Sequence, residues 1–456
     1  MLPLRIESEI EPLEAVVVHR PGVEIEQMTP DRAGDHLYND ILPISTVSGE
    51  HELLVEVLSA HARVYEMTDL LTEALEQDGT RTRLLDRICV EPFAQRRREE
   101  LSSLAPGDLA RSVITGLRKY SCSLEDYLSP RSWDVPPLSN LYFMRDAGFV
   151  IGNRAVVGAM AHDVRDAEAA VTDAVFHAWV GGTLEIRGHD GGHPEAAESA
   201  PAPSTRPLID REVRIEGGDV HVLSADLLLI GISERTSTRA VDVLCASLAE
   251  TFERPLRVIA CLLPRTRSCI HLDMVFSRID YECALVHAPV VFGPSAMRTV
   301  RFDIEPGGSV RVREGGSLME ALSHAGCDLK PVVCGGSDTL HQQREQWLSG
   351  TNAFALAPGR ILVYDCNRYT LDALDKAGYP IVTPGQGAFS SPLHGRQSQT
   401  NTTGRENARA SLLEDTQARA VIALPGAELA RGGGGPRCMT MPVRRAAARG
   451  IDPEVR

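Results

Sequence analysis

The feature that most limits what this chain can fold into is a unit that recurs between residues 146 and 364: a polar residue, then two apolar runs joined by a turn, with a helical stretch nearby. The runs at 149–157 turn at Gly152-Asn153, and those at 219–230 turn around Ser224-Ala-Asp226. Those at 271–287 turn around residues 278–281, and those at 353–364 turn at Pro358-Gly359. Short apolar runs bounded by such turn residues are hairpin signals. Amphipathic patterns at 165–180, 235–252, 317–325 and 369–377 predict the helices between them. Each hairpin is headed by a polar residue: Asp146, Glu216 with Asp219, His271 with Asp273, and Asn352. A closed arrangement of such units would gather these side chains at one centre.

The N-terminal part adds a β-α-β opening: a strand at 13–20 stopped by Pro21-Gly22, a helix at 50–62 and a strand at 63–67. From 69 to 117 the spacing of Leu70, Leu71, Ala74, Leu75, Leu84, Leu85 and Ile88 is helical, which predicts an all-helical insert. Two stretches break the repeat. Residues 188–205 are rich in Gly, Pro, Ala and Ser, residues 385–407 are polar, and both read as mobile loops, the second followed by a short helix at 408–420.

Hydrophobic residues at 43% and charged residues at 24% fit a folded soluble chain rather than a disordered or fibrous one. The balance of 47 Lys plus Arg against 62 Asp plus Glu, net −15, disfavours a polyanionic partner such as nucleic acid and suits a small cation. No run reaches the ~18 apolar residues of a membrane span, and no signal peptide opens the chain, so the expected placement is cytoplasmic. Ten cysteines without CxxC pairs read as reduced thiols, most of them small core hydrophobes.

One cysteine context stands apart. Cys438 follows a glycine run at 432–435 and Pro436-Arg437, so the sequence predicts a thiol on a flexible rim with an arginine beside it to favour the thiolate. In His271-Leu-Asp273 the two polar residues are two apart at the head of a strand, where they would share a face, and the imidazole could move protons near neutral pH. Glu216-Gly-Gly-Asp219 and Asn140-Leu-Tyr-Phe-Met-Arg-Asp146 head two more hairpins. Each alone is equally consistent with an acid-capped turn or an ion-paired strand edge.

Taken together and in order, Asn140-Leu-Tyr-Phe-Met-Arg-Asp, Glu216-Gly-Gly-Asp, Gly231-Ile-Ser-Glu-Arg-Thr-Ser, His271-Leu-Asp-Met-Val-Phe and Gly435-Pro-Arg-Cys-Met-Thr-Met-Pro resemble the arginine deiminases of the guanidine-modifying enzyme superfamily. The resemblance extends to Val16-Val-Val-His-Arg-Pro-Gly, to Leu37-Tyr-Asn-Asp-Ile and to the helical insert. It implies a five-bladed pseudosymmetric α/β propeller of ββαβ units, pentein-like, with a catalytic domain at 1–68 and 136–456 and a helical domain inserted at 69–135. It also implies hydrolysis of L-arginine to citrulline and ammonia without metal or organic cofactor. By that resemblance Cys438 is the nucleophile and His271 the proton shuttle, Glu216 supports His271, and Asp146 and Asp273 clamp the guanidinium. Arg165 and Arg235 then meet the substrate α-carboxylate, and Asn140 and Phe143 line the pocket. The chain departs from the family at Gly433, where many members carry arginine.

Three readings compete with this one: a related guanidine hydrolase, an amidinotransferase using the same thiol chemistry, and a non-catalytic arginine-binding protein on the same scaffold. A metal site at Cys269, His271 and Asp273 lacks a fourth ligand at any local spacing. A homo-oligomer is left open.

Overall fold

The computed structural model describes residues 2–181, 183–185, 213–249, 255–294, 296–306, 309–384 and 418–448. The expected loops at 188–205 and 385–407 lie outside these residues, as does the helix expected at 408–420 apart from its last residues, where Ala420 begins a strand.

Five sheets share one connection pattern, an antiparallel hairpin whose inner strand takes a third strand in parallel. Gly148–Ile151 pairs antiparallel with Arg154–Val157, which takes Leu184–Glu185 in parallel. The same holds for Val220–Ser224, Leu227–Ile232 and Leu256–Leu262. It holds again for Phe276–Asp280, Cys283–Val286 and Lys330–Val333. In the fourth sheet Phe354–Ala357 and Arg360–Tyr364 form the hairpin, and Ala420–Leu424 adds to it. The fifth joins the two ends of the chain, with Met441–Arg445 antiparallel to Leu13–Val18 and Arg63–Glu66 parallel to it. A parallel third strand needs a crossover, and a helix supplies it in each case: Asp166–Val180, Thr238–Ala249, Leu318–His324, Arg368–Lys376 and Ile44–Ser59. The inner strands are buried on both faces, which is why Leu227–Ile232 reads as an unbroken apolar run and not as an alternation.

Sequence and structure differ in three places. The helix expected at 50–62 starts at Ile44 and ends at Ser59. The stretch expected to be all helical carries its helices at Met67–Ala74, Asp78–Ile88, Pro92–Gln95, Arg98–Ser103 and Pro106–Thr115, yet Leu117–Arg118 then pairs with Trp133–Val135 as a small ribbon. The hairpin Arg298–Ile304 with Val310–Ser317, which widens the second of the five sheets, has a largely polar, exposed outer strand and gave no apolar signal.

The helices after Met67 do not form a core of their own. Leu70, Leu71, Leu84 and Val113 belong to the same apolar cluster as Val171, Val175 and Phe176 of the crossover helix Asp166–Val180. Arg83 and Arg87 both reach the buried carboxylate of Asp173 on that helix, at 2.7 and 3.1 Å. Among the described residues no helix is long and apolar enough to cross a membrane.

Candidate active site

Each hairpin is entered through a tight turn, and the turns hold the polar residues. Asp146 lies in the helical turn Met144–Ala147, and Glu216 caps the 3-10 turn Gly217–Asp219. His271 caps Leu272–Met274, which contains Asp273. Asn352 closes the turn at 349–352, and Cys438 lies within the last strand's own entry turn at 437–440. The strand at 276 begins too late to carry His271 and Asp273, so these residues do not share a strand face as expected. On a turn they diverge: His271 reaches Glu216 and Asp273 reaches Cys438.

On the imidazole side, His271 Nε2 lies 2.8 Å from Glu216 Oε2, and Nδ1 lies 3.7 Å from Asp146 Oδ1. Burial opposes the charged imidazole, but the negative charge of Asp146 and the hydrogen bond to Glu216 outweigh it and raise His271 to about 9. Glu216 is pushed below the carboxylate range: burial acts against this, and Arg235 and His271 overcome it. Asp219 fixes the geometry from behind, accepting from the Leu272 amide at 2.9 Å and the Ser233 hydroxyl at 2.6 Å.

The thiol side has the opposite character. Cys438 is 4% exposed. Its sulfur donates toward Asp273 Oδ2 at 3.6 Å and accepts from Asn352 Nδ2 at 3.1 Å. Burial and the charges of Asp273 and Asp146 push the thiol well above its ordinary value. The expected flexible rim is therefore a packed floor. A Cβ on Gly435 would meet Asn352 Cβ at 2.6 Å, so this glycine serves a close backbone approach, while Gly433 has φ +103° and open space around it. Arg437 does not lie against the sulfur either. It turns to Glu9, with two contacts of 3.2 Å, and to Asp273 Oδ2 at 2.9 Å. Adjacent residues in a turn send their side chains different ways, and so sequence neighbourhood misjudged this one.

A cavity of about 390 Å³ opens over these groups, within the range of small-molecule sites. Asn140, Phe143, Asp146, Arg165, Arg235, His271 and Cys438 line it. Glu216 and Asp273 are not on its wall and act on residues that are. Asn140 is held through its amide on the His36 carbonyl at 3.0 Å, next to Leu37, a wall residue with the left-handed φ of 69°. Arg165 gives Nη1 to Asp146 Oδ2 at 2.7 Å and Nε to Glu168 Oε2 at 2.8 Å. Arg235 is held more loosely, 3.5 Å from Glu216, and its Nε has no hydrogen-bond partner among the described residues.

Asp146, Glu216 and His271 each place one donor atom within 4.8 Å of the others, a grouping that could hold a cation. Arg165 and Arg235 already bring two guanidinium groups onto those carboxylates. Sequence reasoning missed Glu9, Glu168 and the pairing of Asn352 with Cys438. Glu168 could have been found, because it stands three residues after Arg165 on a helix, where side chains meet.

Fold and site together define a class: pentein-like α/β proteins in which an inward-facing cysteine, a histidine and a ring of carboxylates meet under one small cavity. The sequence matches the family model for arginine deiminase over residues 35–445. It is 29% identical over 451 residues to an arginine deiminase of Mycoplasma capricolum subsp. capricolum, covering 97% of both chains. It is 29% identical over 465 residues to one of Bacillus thuringiensis subsp. konkukian, covering 97% of this chain and 98% of the relative. In fold it is similar to an amidinotransferase from Microseira wollei, with TM-score 0.50 and 14% identity over 98% of this chain and 99% of that one. The chain belongs to the arginine deiminase family.

Proposed function

We propose that this protein, an enzyme of that family, hydrolyses L-arginine to citrulline and ammonia with Cys438 as nucleophile and His271 as proton carrier. The observation that carries this reading is a matched pair of half-used carboxylates beside a buried thiol. Asp146 and Asp273 each have one oxygen held by an arginine, and the other oxygen is buried with no hydrogen-bond partner among the described residues. Leaving such an oxygen unpaired costs roughly 1–3 kcal/mol or more. A planar guanidinium, with donors along its edges, meets Asp146 on the cavity wall directly, and reaches Asp273, which lies behind that wall beside Cys438, on closing down onto the thiol.

The chemistry follows from the charges. A bound cation offsets the field of Asp146 and Asp273, which favours loss of the Cys438 proton to water, and the thiolate adds to the guanidinium carbon as that carbon's double bond to nitrogen opens. His271, protonated at neutral pH, gives its proton to the departing nitrogen as the C–N bond breaks, and ammonia leaves. Neutral His271 then takes a proton from water, whose oxygen bonds to the same carbon. The C–S bond breaks, the thiolate returns, and loss of one more proton leaves the ureido group of citrulline.

Arg165 and Arg235 take the α-carboxylate, with Arg235 the less committed of the two, and Asn140 and Phe143 shape the pocket. Residues 69–135 act as a mostly helical insert packed on the catalytic part and sharing its core, and the enzyme works in the cytoplasm on free arginine. The test is release of equal amounts of citrulline and ammonia by purified protein given arginine and no amine acceptor. Ornithine production only when an amine is added points to amidino transfer, and binding without product points to a non-catalytic protein.

A further inference from the structure

The proton of the Cys438 thiol points at a carboxylate, and the neighbouring arginine is turned away from the sulfur. The charge of Arg437 and the Gly435 backbone favour the anion, but neither is a side chain that donates to the sulfur. The Asn352 amide is the only side-chain donor on the sulfur among the described residues, at 3.1 Å. Its orientation is not arbitrary. Cys438 N–H donates to Asn352 Oδ1 at 3.0 Å, and an amide whose oxygen meets that donor must turn its nitrogen to the sulfur. Asn352 therefore grips both the backbone and the side chain of Cys438.

The grip is held rigidly. Asn352 is 0% exposed, and its Nδ2 has a second acceptor in the Asp273 carbonyl at 3.4 Å. The turn that presents it contains Ser349 at φ 59°, a left-handed conformation held by Gly350 N donating to Glu345 O at 2.7 Å and by Asn352 N donating to Ser349 O at 3.0 Å. Gln346, on the preceding helix, and Thr351 both donate to the Met274 carbonyl, which ties this turn to the one that carries His271 and Asp273. Strain kept in place by that many contacts is characteristic of a site where position matters.

We propose that Asn352 is a catalytic residue, its side-chain amide donating to Cys438 Sγ so that the sulfur is aimed and its anionic form is stabilised through the reaction. The inference rests on Cys438 being the nucleophile. An N–H donor strengthens its bond as the sulfur gains charge, so the effect belongs to the thiolate and the transition state more than to the resting thiol.

The test compares full-length wild type with Asn352→Asp and Asn352→Ala. Asn352→Asp keeps the shape and the acceptor for Cys438 N–H but replaces the donor with a negative charge. The first reading is the pH dependence of alkylation of Cys438 by iodoacetamide, followed on the Cys438 peptide by mass spectrometry because nine other cysteines are present. The midpoint should move to higher pH in both variants, further in Asn352→Asp. The second reading is turnover, where kcat should fall roughly 10- to 100-fold, the range for a hydrogen bond to a charged group, while KM for arginine changes far less. The third needs no variant: in wild type the Asn352 side-chain amide proton resonances should shift with the same pH midpoint as Cys438 alkylation. A folded Asn352→Asp with wild-type alkylation and kcat, or amide resonances that ignore that midpoint, would overturn the proposal. Retained turnover in Cys438→Ser would instead overturn the nucleophile assignment beneath it.

Discussion

The imidazole side and the thiol side of the cavity sit in one field of negative charge, and the field acts on them in opposite senses. Around His271 it helps: Asp146 and Glu216 raise the imidazole to about 9 against burial, so the acid is charged before substrate arrives. Around Cys438 it hinders: burial first, and then the charges of Asp273 and Asp146, hold the sulfur as a thiol. Asp146, which acts on both, thus arms one group and disarms the other. On the proposed mechanism, the difference teaches that a cation, and not a built-in base, is what Cys438 awaits. Binding and activation become one event, and a thiol that stays protonated without substrate is guarded against adventitious oxidation.

The largest expected effect comes from the thiol side. Cys438→Ser should lose turnover altogether while arginine still binds, because a hydroxyl without a dedicated base is a poor nucleophile toward a stabilised cation. Citrulline assay with calorimetry checks both halves of that statement. On the imidazole side, His271→Ala should lose about 10²–10⁴-fold in kcat, and His271→Asn should not restore it, since proton transfer and not hydrogen bonding is needed. A loss of under roughly tenfold at saturating arginine would remove His271 from that role.

Between the two sides lie the arginines. Agmatine, which lacks the carboxylate, should be a far worse substrate than arginine, by roughly 2–5 kcal/mol in kcat/KM. Arg235→Leu should damage arginine turnover and narrow that gap, whereas Arg165→Leu also leaves Asp146 and Glu168 unpaired and should cost folding stability as well. An unchanged arginine-to-agmatine ratio in both variants would show that these residues serve the fold.

The smallest effects are shifts of pH midpoint, read on whatever activity the clamp variants keep, and they separate the two sides most cleanly. Asp146→Asn removes the leading charge that raises His271, so the alkaline fall of kcat/KM, expected as pH passes about 9, should move down by roughly one unit or more. Asp273→Asn should instead bring Cys438 alkylation to lower pH. Stability follows the same sign. Because His271 is raised from 6.5, its protonation stabilises the fold fully below about 6.5, and that contribution is lost as pH rises through about 9. Movement of both profiles in the same direction and by the same amount in each variant would erase the distinction between the two sides.

Much of this arrangement was legible in the sequence because it depends on local patterns. Hairpins announce themselves by turn residues between apolar runs, and the polar residue at the head of each unit, Asn352 included, stood out by position alone. What stayed hidden depends on direction and distance. Glu9 meets Arg437 across most of the chain's length, and no spacing announces that pair. Arg437 adjoins Cys438 in sequence but points elsewhere, and His271 and Asp273 part company because they lie on a turn and not on a strand. The glycine run at 432–435 suggested flexibility, yet Gly434 and Gly435 pack against Phe143 and Asn352. Composition cannot tell a glycine needed for motion from one needed for closeness.

The central claim, that arginine passes through a covalent bond to Cys438, has a direct test. Wild-type protein mixed with saturating arginine is quenched in acid within the first turnovers, digested, and the cysteine peptides are weighed. The account predicts that the Cys438 peptide alone gains the mass of arginine less ammonia, and that this adduct disappears once arginine is consumed. An adduct on a different cysteine, or full citrulline production by Cys438→Ser with no adduct on any cysteine, would contradict it.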